Sequence, residues 1–202
     1  MPGESVLDPY CGTGSLLLPC CHLGAVVTGS DIDGDCLGLV DRDSLSVNNR
    51  SKNSNFVRQD GYQTMQSNGS TRSNFEYYGF SSQLQGLFAM DAVEWLSESR
   101  SEQFDVVLSD PPFGIRERSL GDDTQHPLVT LLAIANKRLR VGGRLVFWMP
   151  SEALDSDDEV AHRLGEYSVQ AGSVSALRLI RATRQQLSSK LSRWLCSFEK
   201  VE

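Results

Sequence analysis

Positive charge is scarce in this chain. Nineteen Lys and Arg stand against 26 Asp and Glu over 202 residues, for a net charge of -7. A free-standing nucleic-acid binder usually shows a basic face, so the deficit argues against one, although positive charge can be local or supplied by another domain. Cysteine is sparse and poorly spaced for metal or disulfide chemistry. The five residues Cys11, Cys20, Cys21, Cys36 and Cys196 are odd in number and include no Cys-x-x-Cys pair. That is the pattern of a reduced, cytoplasmic chain with neither a disulfide framework nor a zinc site. His22, His126 and His162 lack ligand spacing, so no metal is expected, and no Ser-His-Asp arrangement is supported. No apolar run approaches the ~18–20 residues of a membrane span. The start, Met1-Pro2-Gly3-Glu4, is no signal peptide and leads abruptly into a strand, so something is expected to precede it. No Pro/Gly/Ser-rich linker and no internal repeat divides the chain. Its 40% hydrophobic content suffices for one well-packed domain over 1–202.

What is present is an alternation of short apolar runs and helix-like stretches. Val6-Leu7 reads as a strand, 15–23 as a helix stopped by Gly24, and 25–30 as a second strand ending at Asp31-Ile32-Asp33. Residues 34–74 are polar and Ser/Asn-rich in places, notably 48–55 and 66–74, and suggest loops, with one helical turn over 74–78 ended by Gly79. Further strands fall at 87–90, 104–109 and 145–149, with a short helix around 93–96 between the first two. Between the last two, apolar residues at 128, 131, 132, 135 and 139 mark one helical face; Lys137, Arg138 and Arg140 suit its carboxyl end, and Gly142-Gly143 turns the chain. An acidic, partly helical stretch over 151–165 and strands at 174–180 and 194–198 complete the pattern. Strands alternating with helices imply an α/β sheet of parallel strands.

Two motifs carry the chemistry. Asp8-Pro9-Tyr10-Cys11-Gly12-Thr13-Gly14 is a strand followed by a glycine turn and a helix. Gly12 and Gly14 permit positive φ and close approach to a ligand. Asp8 would repel a pyrophosphate but attract the ammonium and sulfonium of S-adenosylmethionine (SAM). Asp31, at the next strand end, suits a ribose diol, whereas Asp33 reads better as a helix N-cap. Asp91, at the third strand end, either accepts from an adenine amine or caps the helix after it. Asp110-Pro111-Pro112-Phe113 is the sharpest signal. Two prolines stiffen the turn and remove N–H donors. The Asp110 carboxylate and Pro111 carbonyl are left to hold an exocyclic amine, with Phe113 as a stacking face for its ring. Open parallel sheets bind ligands beyond their strand carboxyl ends, so both motifs should open on one crevice. Arg116 and Arg118 either meet phosphate or pair with nearby acids. Arg178, Arg181, Arg184, Lys190 and Arg193 form either an RNA-facing patch or a solvated face.

These residues resemble class I SAM-dependent methyltransferases of the Asp/Asn-Pro-Pro-Tyr/Phe amino-methylating group. Within that group the chain resembles the catalytic subunits of the tRNA guanosine-10 N2-methyltransferases. The resemblance rests on the glycine motif with Ser15-Leu16-Leu17, Gly29-Ser30-Asp31-Ile32-Asp33, Asn74-Phe75-Glu76-Tyr77-Tyr78-Gly79, Asp110-Pro111-Pro112-Phe113-Gly114-Ile115-Arg116-Glu117, Gly143-Arg144-Leu145-Val146-Phe147-Trp148-Met149-Pro150 and Ser192-Arg193-Trp194-Leu195. Phe113 replaces the Tyr more usual there. The segment that in the family precedes the first strand and the THUMP-bearing tRNA-binding region are both absent from these residues.

The resemblance implies a Rossmann-like three-layer sandwich around a seven-stranded, mostly parallel sheet of order 3-2-1-4-5-7-6, with strand 7 antiparallel. It implies SAM as cofactor, held by Asp8, Tyr10, Gly12, Gly14, Asp31, Ile32, Asp91 and Ala92. Methyl transfer to guanine N2 in tRNA would then fall to Asp110, Pro111, Pro112 and Phe113. Partners are tRNA and a small zinc-binding activator protein. Alternative readings are an adenine N6 or protein glutamine N5 methyltransferase, or a non-catalytic scaffold of the same fold. With its acidic balance, the 202-residue chain alone is expected to fold but to grip tRNA poorly.

Overall fold

The computed structural model describes residues 2–39, 69–112, 126–152, 156–189 and 191–202. Phe113, the Gly-Ile-Arg-Glu extension and the polar stretch 48–55 lie outside them. Leu7 and Val6 project to opposite faces of the first strand because side chains alternate along a strand, and each joins a different apolar cluster. That alternation makes the three layers. Strand β1 (Ser5–Asp8) lies next to the central strand of a seven-stranded sheet of order β3-β2-β1-β4-β5-β7-β6. β2 (Val26–Asp31), β3 (Leu84–Ala89), β4 (Phe104–Ser109) and β5 (Leu139–Glu152) run parallel, as the expected topology requires. β7 (Leu191–Lys200) is antiparallel to β5 and to β6 (Leu177–Gln186).

Helices α1 (Leu17–His22), α2 (Gly34–Leu37) and α3 (Thr71–Tyr77) contribute Leu17, Cys21, Leu37 and Phe75 to the core on one face. On the other, α4 (Pro127–Arg138) and α5 (Asp157–Gln170) bury Leu128, Leu131, Leu132, Ile134, Val160 and Leu164 against Val107, Leu145, Phe147 and Trp194. α4 matches its predicted apolar face, and its start is set by Pro127 at the first turn with the His126 imidazole accepting from Leu128 N–H. α5 begins on a capping box between Ser156 and Glu159. α3 begins earlier than the single turn expected, at Ser70, whose hydroxyl accepts from Ser73 N–H. The chain on either side of 40–68 meets here: Thr71 Oγ1 lies 3.2 Å from Cys36 O, and a Cβ on Gly38 would lie 2.6 Å from Ser70 Oγ.

Three departures from the sequence reading have local causes. β3 starts at Leu84 rather than 87, just after Gln83, whose amide donates to Cys21 O and Ala25 O and moors the strand to the end of α1. Gly142-Gly143 does not precede β5 but lies within it. Phe104 pairs with Leu139 and Val106 with Arg144, so the two glycines sit in a bulge. A Cβ on Gly143 would lie 2.8 Å from Arg140 O and 3.0 Å from Asp105 O, which is why the position needs glycine. Third, the cations at the end of α4 do more than face the helix dipole. Lys137 Nζ donates to Leu96 O at 2.7 Å, and Arg140 pairs with Asp105. Arg138 is buried and donates Nε to Trp95 O (2.6 Å), Nη2 to Ser97 O (2.5 Å) and Nη1 to Arg100 O.

That guanidinium fork docks the whole 92–100 segment onto α4. Arg138→Leu leaves three carbonyls without their donor, one of them in a fully buried bond and two in part-buried ones. It should lower stability by about 3 kcal/mol in urea unfolding, because unmet buried partners cost more than a made bond gains. A loss below about 0.5 kcal/mol would show that water takes the fork's place.

Candidate active site at the carboxyl ends of the strands

Four acidic residues stand at the carboxyl ends of four adjacent strands: Asp8 on β1, Asp31 on β2, Asp91 after β3 and Asp110 after β4. Asp8 is only 1% exposed. It accepts from Ser109 Oγ at 2.7 Å and from Tyr10 N–H at 3.0 Å. The carboxylate therefore locks β1 to the last residue of β4 and turns the chain into the glycine loop. Among the described residues no Lys or Arg pairs with it. Burial pushes its pKa up to about 7; the two hydrogen bonds oppose this, and the negative charges of Asp31 and Asp110 add to it. The two motifs thus share one electrostatic neighbourhood, as the sequence reading required.

The glycine loop is fixed from three sides. Cys11 N–H donates to Ser30 O at 2.9 Å, and Gly12 N–H to Asp31 Oδ2 at 2.9 Å. Asp31 Oδ1 also accepts from Asp33 N–H at 3.0 Å. Asp33 is the N-cap of α2, accepting from Asp35 and Cys36 N–H. The third side was not foreseen. Thr71 Oγ1 donates to Gly12 O at 2.6 Å and Asn74 Nδ2 to Thr13 O at 3.0 Å, so α3 clamps the loop from above. Asn74 stood within a motif of the family resemblance; Thr71 fell in the polar stretch 66–74 that reads as a loop, and carried no signal.

The two glycines then differ. Gly12 has φ +50° and open space where a Cβ would stand, so a ligand can approach its backbone. Gly14 has φ +81°, but its missing Cβ is filled by α3: Thr71 Cγ2 lies at 2.9 Å and a Phe75 ring carbon at 3.0 Å. Gly14 shapes the loop through packing.

Asp91 accepts from Val93 N–H at 3.0 Å and closes a capping box with Glu94, which satisfies the N-cap reading of that residue. Its neighbour Ala92 is buried. Beside the strand ends, Ile32 (46% exposed) and Val93 (45%) present apolar surface to solvent. Tyr10 is half-buried and donates its hydroxyl to Pro127 O at 3.5 Å, joining the loop to α4. Burial raises its pKa, so the phenol stays protonated. A buried acid without a cation, a glycine backbone open to approach, carboxylates at the next strand ends and flanking apolar surface together fit SAM. Asp8 offers negative charge without a protein cation, Gly12 permits close approach and Asp31 retains lone pairs for a diol.

Pro111 is buried and Pro112 half-buried. Asp110 leads the turn with its side chain 48% exposed, and Arg193 Nη1 on β7 lies 3.8 Å from its Oδ2. Burial raises the Asp110 pKa and the Arg193 charge opposes the rise. The sequence placed Arg193 in a basic patch or on a solvated face; the structure puts it beside the proline motif.

Comparison with known proteins agrees with this geometry. Residues 1–163 match the family described as UPF0020, RMKL-like, methyltransferase domain. The tRNA (guanine(10)-N(2))-methyltransferase TRMT11 of Xenopus laevis is 29% identical over 227 residues, covering 100% of this chain and 42% of that protein. The Homo sapiens protein of that name is 29% identical, with 98% and 43% covered. The tRNA (guanine(10)-N(2))-methyltransferase of Saccharomyces cerevisiae is 32% identical, with 74% and 36% covered. The chain thus spans about two-fifths of the length of these curated relatives. Among solved structures, a methyltransferase from Pyrococcus furiosus superposes with a TM-score of 0.58 at 15% identity, covering 100% of this chain and 77% of that one. SMU.1697c, a putative methyltransferase from Streptococcus mutans solved with SAH, gives 0.58 at 13%, covering 99% and 90%. These two likenesses show the fold.

Two predictions follow from the geometry. The folded Asp8 pKa of about 7 lies above its ordinary 3.8. At low pH both folded and unfolded states hold the proton. As pH rises the unfolded chain releases it first, so stability falls through this window and levels off above the folded pKa. Urea midpoints of the ligand-free chain should fall by the equivalent of about 2 kcal/mol between about pH 5 and 7, and Asp8→Asn should flatten that slope. Gly14→Ala forces both a left-handed residue and a clash with α3, and should cost about 2–3 kcal/mol of stability; Gly12→Ala should cost about 1 and act mainly on ligand affinity. Equal destabilisation by the two would contradict their separate roles.

Proposed function

The chain belongs to the UPF0020, RMKL-like methyltransferase-domain family, and from that premise we propose that its protein methylates the exocyclic N2 amine of a guanine in tRNA, with SAM as methyl donor. The observation that carries the reading is the placement of the Asp110-Pro111-Pro112 turn next to the Asp8 strand end, coupled through Ser109 and Asp8. Whole-chain similarity to proteins named tRNA (guanine(10)-N(2))-methyltransferase supports the choice of guanine and tRNA.

When bound, SAM supplies an electrophilic methyl carbon on its sulfonium. Asp8 would lend negative potential to that site, and Gly12 would let the cofactor approach the loop backbone. Asp31 takes the ribose hydroxyls, and Ile32, with Asp91 and Ala92, borders the adenine. The Asp110 carboxylate and the Pro111 carbonyl accept the two N–H groups of the guanine amine. The nitrogen lone pair, otherwise delocalised into the ring, is thereby aimed at the methyl carbon. Asp110 would take the proton that the amine gives up as it is methylated. Pro112 stiffens the turn, and Phe113 stacks on the base, which must leave its helix to arrive. Positioning of this kind supplies several kcal/mol of the barrier reduction.

The same reading carries a small zinc-binding activator protein as partner, for which the outer edges of β3 and β6 offer strand pairing. It also carries a cytoplasmic location; no helix among the described residues is long and apolar enough to cross a membrane.

The test uses the complete protein with its tRNA. Asp110→Ala should lower kcat at least about a hundredfold while leaving SAM affinity within about threefold, because it removes the group that orients and deprotonates the amine. Mass spectrometry of tRNA nucleosides from cells with and without the gene should show loss of N2-methylguanosine. Full-rate methylation by the Asp110→Ala protein, or loss of a methylated adenine instead, would overturn the reading.

A further inference from the structure

The side chain of Arg193 is held at three points, and one of them is Asp110. On the β5–β7 ladder Arg193 lies opposite Pro150, which makes Trp148 its diagonal neighbour on the same sheet face. The guanidinium carbon sits 3.8 Å from the centroid of the Trp148 ring. On the β6–β7 ladder Arg193 lies opposite Gln185, and its Nε donates to Gln185 Oε1 at 2.7 Å. With one face on an indole and one N–H tied to an amide, the fork has little freedom left. Its Nη1 then points to Asp110 Oδ2 at 3.8 Å. The guanidinium side chain is 32% exposed, so the contact is neither a free surface pair nor a buried one.

We propose that Arg193 is a positioning residue for the methyl-transfer reaction. It would hold the Asp110 carboxylate ionised and fixed in direction, with Trp148 as its platform and Gln185 as its stay. The inference rests on the role given to Asp110 above. A planar, delocalised cation can stack on an aromatic face and address a carboxylate at the same time; an ammonium cannot do both. Asp110 has reason to need such a partner. Among the described residues, the charged groups that bear on it are Arg193 from β7 and the carboxyl of Asp8 from β1. Burial favours the protonated acid, and a protonated Asp110 accepts the guanine N–H less well and cannot take its proton. Arg193 alone opposes that. Trp148 faces away from the core residues Phe147 and Met149 because side chains alternate along β5, which leaves its ring as a platform for the guanidinium.

Two readouts test this. The first is the titration of the Asp110 side-chain carboxyl carbon by NMR in the free protein, assigned with Asp110→Asn. Arg193→Gln should move its midpoint upward by about half a unit, a modest shift because the pair is half-exposed, whereas Arg193→Lys should hold it nearer the wild-type value. The second is steady-state methylation of tRNA by the complete protein. Arg193→Gln should lower kcat about tenfold, shift the acid limb of its pH profile upward by the same half unit, and leave KM for SAM within about twofold; Arg193→Lys should restore the limb but only part of kcat. Trp148→Leu should reproduce the loss of kcat without the full shift. An Asp110 titration unchanged in Arg193→Gln, or a kcat within about twofold of wild type, overturns the proposal. A wild-type protein that leaves tRNA guanine unmethylated takes down the functional reading instead, and the carboxyl titration still decides whether Arg193 sets the state of Asp110.

Discussion

The interaction on which the site depends is the hydrogen bond from Ser109 to Asp8. It joins the last residues of β1 and of the central strand β4, at the level where the chain leaves the sheet. Two features of the site lie one or two residues from that bond. Tyr10 N–H on the same carboxyl sets the direction of the glycine loop. Asp110 follows Ser109 directly. Placing a carboxyl there is costly, since burial holds its pKa near 7. The cost is the kind of local frustration expected where a fold keeps a group for its field rather than for its packing.

Around that centre each part is held by a neighbour from a different section of the chain. Asp31 grips the glycine loop from β2, α3 closes it from above, and Ser30 takes the indole N–H of Trp95 at 2.8 Å from the other layer. The Trp95 segment is in turn pinned by Arg138 on α4. Loops at the ends of a sheet gain their precision from such second contacts. Here the contacts run from sheet to helix to loop and back.

Much of this was legible in the sequence, for a definite reason. Apolar runs that end in an acid mark strands and their carboxyl ends at once, so Asp8, Asp31, Asp91 and Asp110 could be placed in order before any contact was known. The strand order itself came from the family resemblance, and β6 and β7 were visible only as fragments at 174–180 and 194–198. Long-range partners were illegible. The glycines at 142 and 143 read as a turn because nothing local distinguishes a turn from a bulge opposite Asp105. Thr71 and Arg193 looked like surface residues, since their meaning lies in Gly12 and Asp110, tens of residues away. Gly14 resembled Gly12 in every local respect; only Phe75 and Thr71, packed where its Cβ would stand, separate them. Phe113, the stacking face read from the sequence, lies outside the described residues.

The meeting of Cys36 and Gly38 with Ser70 and Thr71 bears on how such a chain can change over generations. Once those two points are in contact, the ends of the intervening stretch are fixed by the domain and not by the stretch itself. For a flexible loop between fixed ends the entropy of closure grows only with the logarithm of length, about 0.6 kcal/mol for each doubling. Residues can be gained or lost between these anchors at little expense to the fold, so long as Thr71 still reaches Gly12. The glycine loop thereby draws its hold from Thr71 and the anchor points rather than from the chain between them.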